Sequence, residues 1–241
     1  MKYIIMCGGE YKHFTTPKQL LEFMSEIEYS WMDKKGNFHT DIIPEMYETY
    51  SLMSPEEVKG EVIVERTIRL LKENGVTDIY ISSNDPRFDK YAPRLENKEN
   101  NFVVDKDKRI GYWLDAFYPI GEPCCYIFGD VYFSPNAIKT IVEYNSTENI
   151  LFGNSVAKNE EHQNWGEPFA YKVNKYNEFM NGVKAVKKLY DEGKTIRHPI
   201  VWELYRYLHN LDINVQRITT DYVCIDDYTI DIDTPERIDK I

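Results

Sequence analysis

The chain of 241 residues carries 42% hydrophobic and 29% charged side chains, the proportions of an ordinary globular protein, which excludes disorder on composition. Its formal net charge of -11 leaves no general basic face for nucleic acid, so an anionic ligand must be gripped locally by amides, one or two lysines and a cation. The longest apolar runs are too short to cross a bilayer, and the first, Tyr3 to Cys7, is too short for a secretory signal; the expectation is a cytoplasmic protein with neither membrane nor nucleic-acid partners.

In chain order, Tyr3-Ile4-Ile5-Met6 reads as a buried strand that runs into Cys7-Gly8-Gly9. The aromatic-rich stretch from about 25 to 59 is irregular, with a hairpin signalled by Lys34-Lys35-Gly36-Asn37 and a short helix from Met53 to Val58 opened by Ser54-Pro55-Glu56-Glu57. From Gly60 the pattern becomes regular. Ile63, Ile68, Leu70 and Leu71 share a helical face that Asn74-Gly75 ends, and a strand follows from Asp78 to Ser82. Cys124 to Phe128 is an unbroken apolar run, expected as a central strand, and ends in Gly129-Asp130. Ser134-Pro135-Asn136 opens a helix from Ala137 to Tyr144, and Ile150 to Phe152 is the next strand. Helices are expected over 177–191 and 199–209, a strand over 214–218, and a last helix over 234–241. Alternation of this kind predicts one α/β domain over 1–241 with a mostly parallel central sheet flanked by helices, interrupted by an inserted lid or contact segment at 25–59. The four cysteines, Cys7, Cys124, Cys125 and Cys224, have neither zinc-knuckle nor redox spacing; three lie in apolar runs and read as buried reduced thiols.

Three groups of residues carry chemistry. A tight loop after a buried strand lets main-chain N–H groups approach phosphate oxygens, so Gly8 and Gly9 are either an anion cradle or an ordinary tight turn. The spelling is neither a Walker loop nor a dinucleotide fingerprint. Lys18, fixed by Pro17, offers a point charge for phosphates or leaving pyrophosphate; the plainer account is a solvated lysine. Asp130 follows a core strand at the carboxyl edge, where α/β proteins bind ligands, or else serves only the turn after Gly129. Asp231 and Asp233 alternate with Ile230 and Ile232, so on a strand both carboxylates share one face and repel unless a cation or water joins them; Asp233 also fits a helix cap before Thr234-Pro235-Glu236.

Met6-Cys7-Gly8-Gly9 followed by Pro17-Lys18-Gln19-Leu20, with Gly129-Asp130 and Asp231-Ile232-Asp233-Thr234-Pro235-Glu236, resembles the nucleotidyltransferases of GT-A-like fold, which include sugar-phosphate nucleotidylyltransferases, cytidylyltransferases and the molybdenum cofactor guanylyltransferase. The resemblance implies a Rossmann-like three-layer fold and Mg²⁺-dependent transfer of a nucleotidyl group from a nucleoside triphosphate to a phosphorylated small molecule, taken as a sugar phosphate. It implies Lys18, Asp130 and Asp233 as catalytic residues and Asp130, Asp231 and Asp233 as metal ligands. Nucleotide contacts are implied at Cys7, Gly8, Gly9 and Lys18, at Ser83 and Asn84 after the second strand, and at Asp115 in Gly111-Tyr112-Trp113-Leu114-Asp115, one crossover helix before the Asp130 strand. Trp165-Gly166-Glu167-Pro168 is a loop candidate for the acceptor side, and the 25–59 segment suits a homodimer contact or an acceptor flap. The chain departs from the family where Gly9-Glu10-Tyr11-Lys12-His13 stands in place of Gly-x-Gly-x-Arg. Two rival readings share these residues: a GT-A glycosyltransferase that uses a nucleotide-sugar, and a non-catalytic nucleotide-binding protein.

Overall fold

A computed structural model describes residues 1–7, 31–32, 38–39, 57–58, 61–98, 103–105, 108–154, 166–215 and 217–232. Among the described residues seven strands form the central sheet: β1 Lys2–Met6, β2 Ile79–Ser82, β3 Arg94–Leu95, β4 Cys124–Phe128, β5 Ile150–Gly153, β6 Pro168–Val173 and β7 Tyr222–Cys224. Their order is β7-β5-β6-β4-β1-β2-β3. Neighbours run parallel except that β6 is antiparallel to both β4 and β5. The fold is therefore α/β with a mostly parallel sheet, as the alternation of elements predicts.

β1 sits between two parallel neighbours and buries Tyr3, Ile4, Ile5 and Met6, which is why this strand is apolar without alternation. β4, its partner, is buried at all five positions for the same reason. Among the described residues four α-helices flank the sheet: α1 Ile63–Glu73, α2 Pro135–Glu143, α3 Tyr176–Asp191 and α4 Val201–Leu208. α1 ends where Asn74 caps it and Gly75 takes φ +80, a conformation a side chain would strain. α2 begins at Ser134, whose hydroxyl accepts from Ala137 N at 2.9 Å, with Pro135 in the first turn.

Side-chain alternation on β4 and β6 gives the layers. Tyr126 and Tyr171 pair across the two strands and both pack on Phe179 of α3, at ring distances of 6.0 and 4.9 Å. The next pair, Cys125 and Lys172, points to the opposite face, where Lys172 Nζ donates to Val142 O and Tyr144 O at the end of α2. Helices thus cover both faces, three layers in all.

Several expectations need correction. Residues 57–58 belong to a strand, Glu57–Val58, paired with Glu61–Val62, and not to a helix; residues 53–56 lie outside the described residues. The expected strand over 214–218 is replaced by a turn in which Asn214 N donates to Asp212 Oδ1 at 2.9 Å, and the edge strand comes later as β7. Between Gly111 and β4 there is no crossover α-helix among the described residues, only a 3-10 turn, Trp113–Ala116. Cys224 is exposed, whereas Cys124 and Cys125 are buried as expected. The strand β6 was not foreseen. The hairpin is present as the antiparallel pair Trp31–Met32 and Phe38–His39. The helix expected over 234–241 lies outside the described residues.

Candidate functional site

The carboxyl ends of β1, β2 and β4 meet at one edge of the sheet. Cys7 N continues the ladder by donating to Ser82 O at 3.0 Å, and Gly129 N donates to Met6 O at 2.9 Å. A Cβ on Gly129 would lie 2.4 Å from Met6 O and 2.9 Å from the Cys7 sulfur, so only glycine lets the chain leave β4 this close to β1. Asp130 is placed by that approach. Cys7 itself is half-buried; enclosure of its sulfur pushes the thiol well up, and the carboxylates of Asp130 and Asp85 push the same way. Cys7 is therefore a neutral thiol that reports two carboxylates close by, not a nucleophile.

The late acidic segment returns to this corner. Val131–Tyr132 pairs antiparallel with Ile230–Asp231, and Ile232 N donates to Asp130 O at 2.9 Å. An apolar anchor holds the pairing: Ile63, Tyr132 and Ile232 bury together with Ile230 packed on them. Arg66 of α1 braces the same corner, with its Nε donating to Phe133 O at 3.1 Å and its guanidinium 4.2 Å from the Tyr132 ring centroid. Since Ile230 and Ile232 face that anchor, Asp231 faces the other way. Its N–H donates to Glu167 Oε2 at 3.3 Å, and Glu167 N donates to Asn154 Oδ1 at 2.6 Å. The Asp130 and Asp231 segments, distant in sequence, thus meet at the carboxyl edge.

The remaining candidates have plainer surroundings. Ser83 is buried, its N–H donates to Leu95 O, and its hydroxyl accepts from Asp85 N, so it builds the turn after β2; Asn84 beside it is half-buried. Asp115 is held by Lys187 of α3, with Nζ to Oδ1 at 2.6 Å, and its carbonyl accepts from Asn97 Nδ2 at 2.8 Å. Asn97 Nδ2 also lies 3.4 Å from Ser82 Oγ, which ties the Trp113–Ala116 turn to the end of β2. Trp113 packs against Phe128, the last residue of β4, at 5.9 Å. This turn therefore spans the mouth of β1. Gly8, Gly9, Lys18, Trp165 and Asp233 lie outside the described residues. The node of Asn154, Glu167 and Tyr222, whose hydroxyl donates to Asn154 O, was suggested in sequence only by Glu167 in its loop.

Asp130 and Asp231 offer oxygen alone, the set a hard cation takes, in segments that the Ile232 to Asp130 bond holds together. Among the described residues no group of three His, Cys, Asp or Glu side chains converges as a metal site, so an aspartate pair there needs Asp233 or a ligand phosphate to complete it.

No protein-family model matches this chain, and no curated protein matches it in sequence. Among solved structures it is similar to a putative glucose-1-phosphate thymidylyltransferase from Bacillus anthracis, crystallised in complex with a sucrose. The TM-score is 0.52 at 11% identity, covering 100% of this chain and 93% of that one. That likeness is one of fold. The chain shares the Rossmann-like α/β architecture of that structure, and among its described residues no helix is long and apolar enough to cross a membrane.

Proposed function

We propose that the protein is a Mg²⁺-dependent nucleotidyltransferase that joins a nucleoside triphosphate to a phosphorylated small molecule, a sugar phosphate being the favoured acceptor. The observation that carries this reading is the 2.9 Å bond from Ile232 N to Asp130 O, which brings the two acidic segments to the carboxyl edge of a nucleotidyltransferase-like sheet. In the reaction an oxygen of the acceptor phosphate bonds to the α-phosphorus while the bond to the β-phosphate oxygen breaks and pyrophosphate leaves. A phosphate nucleophile is already ionised, so no general base is required and the work is alignment and charge neutralisation.

Asp130 and Asp233, with Asp231 as auxiliary, would hold Mg²⁺, which when bound neutralises phosphate charge. The chain's own part is positional. Gly129 sets Asp130 against the end of β1, and in this reading the amides of Gly8 and Gly9 would take the phosphates and Lys18 would supply a cation to the leaving group. On the acceptor side, Glu167, which accepts from Asp231 N, and Asn154, bonded in turn to Glu167, can bind hydroxyl groups.

The test is pyrophosphate release with Mg²⁺, each nucleoside triphosphate and a panel of sugar and alcohol phosphates. Asp130→Asn should lower turnover by ~10²–10³-fold, the cost of removing one electrostatic contributor, with the thermal midpoint unchanged. Absence of release with every pair, together with no thermal shift from any triphosphate, refutes the reading.

A further inference from the structure

The turn that spans the mouth of β1 is fastened by a histidine from a distant segment. Trp113 N donates to His198 Nε2 at 3.1 Å, and the two residues are 85 apart in sequence. A ring nitrogen that accepts carries no proton, so the imidazole is neutral with its proton on Nδ1. His198 is 4% exposed, with Tyr190 edge-on at 4.9 Å and Tyr112 tilted against it at 6.4 Å.

Among the described residues, the charged groups next to this ring are matched to one another. From the turn, the Tyr112 hydroxyl donates to Asp191 at 2.6 Å, and that bond pushes the phenol up to about 12. From α3, Lys187 lies 4.3 Å from the Tyr112 ring centroid and pairs with Asp115. From the segment of His198 itself, Arg197 pairs with Glu203 at 2.8 Å. These bonds do not depend on the proton state of His198. The Trp113 bond does, because a proton on Nε2 sets one N–H against another.

We propose that His198 is a positioning residue: its neutral ring latches the Gly111–Ala116 turn over the mouth of β1 in the conformation that receives the nucleotide, and acid opens the latch. The nucleotide part rests on the nucleotidyltransferase reading, whereas the latch itself does not. Asp115, Asn97 and Ser82 tie one end of the turn to β2. His198 holds the other, where Trp113 meets Phe128.

The experiment follows KM and kcat for ATP, GTP, CTP, UTP and dTTP with Mg²⁺ from pH 8 down to pH 5, in parallel with amide hydrogen-exchange protection of Trp113, corrected for intrinsic rates. Protonation of the ring removes the acceptor for Trp113 N, so as the pH falls the latched fraction drops and KM of the wild type should rise, by up to about tenfold per pH unit for one proton, while kcat at saturation holds. His198→Ala should show the raised KM and an unprotected Trp113 amide at every pH. His198→Gln, whose carboxamide oxygen can accept the same bond, should keep KM low and free of the acid limb. Wild-type KM and protection in His198→Ala, or an undiminished acid limb in His198→Gln, overturns the proposal. If no triphosphate turns over or binds, the functional reading fails, and the latch is then judged on Trp113 alone. Protection lost on acidification in the wild type but not in His198→Gln upholds it, and equal behaviour in the two overturns it.

Discussion

On the β1–β2–β3 side of the sheet, the strand ends are held by the main chain. Cys7 N reaches Ser82 O, Ser83 N reaches Leu95 O and Gly129 N reaches Met6 O, each at 3.2 Å or less. On the β5–β6–β7 side, main-chain bonds such as Ile225 N to Gly153 O at 2.7 Å are joined by side chains that are buried or half-buried. Lys172 ends α2, Glu203 binds Arg206, Arg197 and the start of α4, and Asn154 joins Glu167. Main-chain bonding leaves loops with few side-chain commitments, the condition a phosphate cradle needs. Side-chain bonding fixes geometry with specific donors, and each buried partner becomes costly to remove.

The largest expected effect therefore falls on the second side. Glu203 and Arg206 are 2% and 1% exposed, and burial pulls the arginine pKa down while Glu203 supports its charge. Glu203→Ala leaves that guanidinium buried with its carboxylate gone and also strips Ile200 N of its acceptor. A loss of ~3–5 kcal/mol in urea unfolding is expected, the cost of breaking a buried pair. A loss as small as that of an exposed pair, below about 1 kcal/mol, would erase the contrast between the two sides.

On the main-chain side the corresponding lesion is steric. Gly129→Ala puts a Cβ 2.4 Å from Met6 O, a backbone atom that cannot swing away, so β1 and β4 must part. The expected cost is ~1–3 kcal/mol, as for other overpacked sites, read as a lower thermal midpoint. If the reading of Asp130 is right, turnover falls more than the stability loss explains, because the carboxylate moves with the backbone. An unchanged melting curve would mean that the main-chain grip is slack.

The same division decides what could be read from sequence. β1, β4 and α1 are legible because their partners are backbone or neighbouring apolar faces, so Ile4-Ile5, Cys124 to Phe128 and the Asn74-Gly75 stop carry their meaning locally. The position of Asp130, one glycine beyond a core strand, is legible for the same reason. β6 is not, since Lys172 interrupts its apolar pattern and finds its acceptors 28 and 30 residues upstream. The turn at 213–215 has apolar residues that imitate a strand, yet Asp212 and Asn214 bend it, and Tyr222 makes the edge strand instead. The partner of Asp115 is not legible either, since its carboxylate pairs with Lys187, 72 residues later. His198 had no signal at all. A lone histidine before a proline acquires its role only when α3 and the Trp113 turn are packed around it.

The smallest expected effect is also the sharpest test of whether the buried polar side stabilises or merely specifies. Lys172 is 5% exposed, its pKa is lowered by burial, and its ammonium donates to the final carbonyls of α2, where the helix dipole favours a cation. Lys172→Met fills the space but leaves Val142 O and Tyr144 O without their donor, so a loss of about 1 kcal/mol or less is expected near neutral pH. The pH dependence carries more information. With the native pKa below the ordinary 10.5, the unfolded chain holds more protons between the two values, so the lysine makes stability rise with pH across that window. Buried tyrosines such as Tyr126 and Tyr171, whose phenols burial pushes up, act in the opposite sense in both proteins. The quantity to measure is therefore the difference between wild-type and Lys172→Met unfolding free energies against pH. It should grow in favour of the wild type as the pH climbs towards 10.5. A flat difference would show that Lys172 is as well solvated in the fold as in the open chain, and that side-chain commitment on this half of the sheet comes at no electrostatic cost.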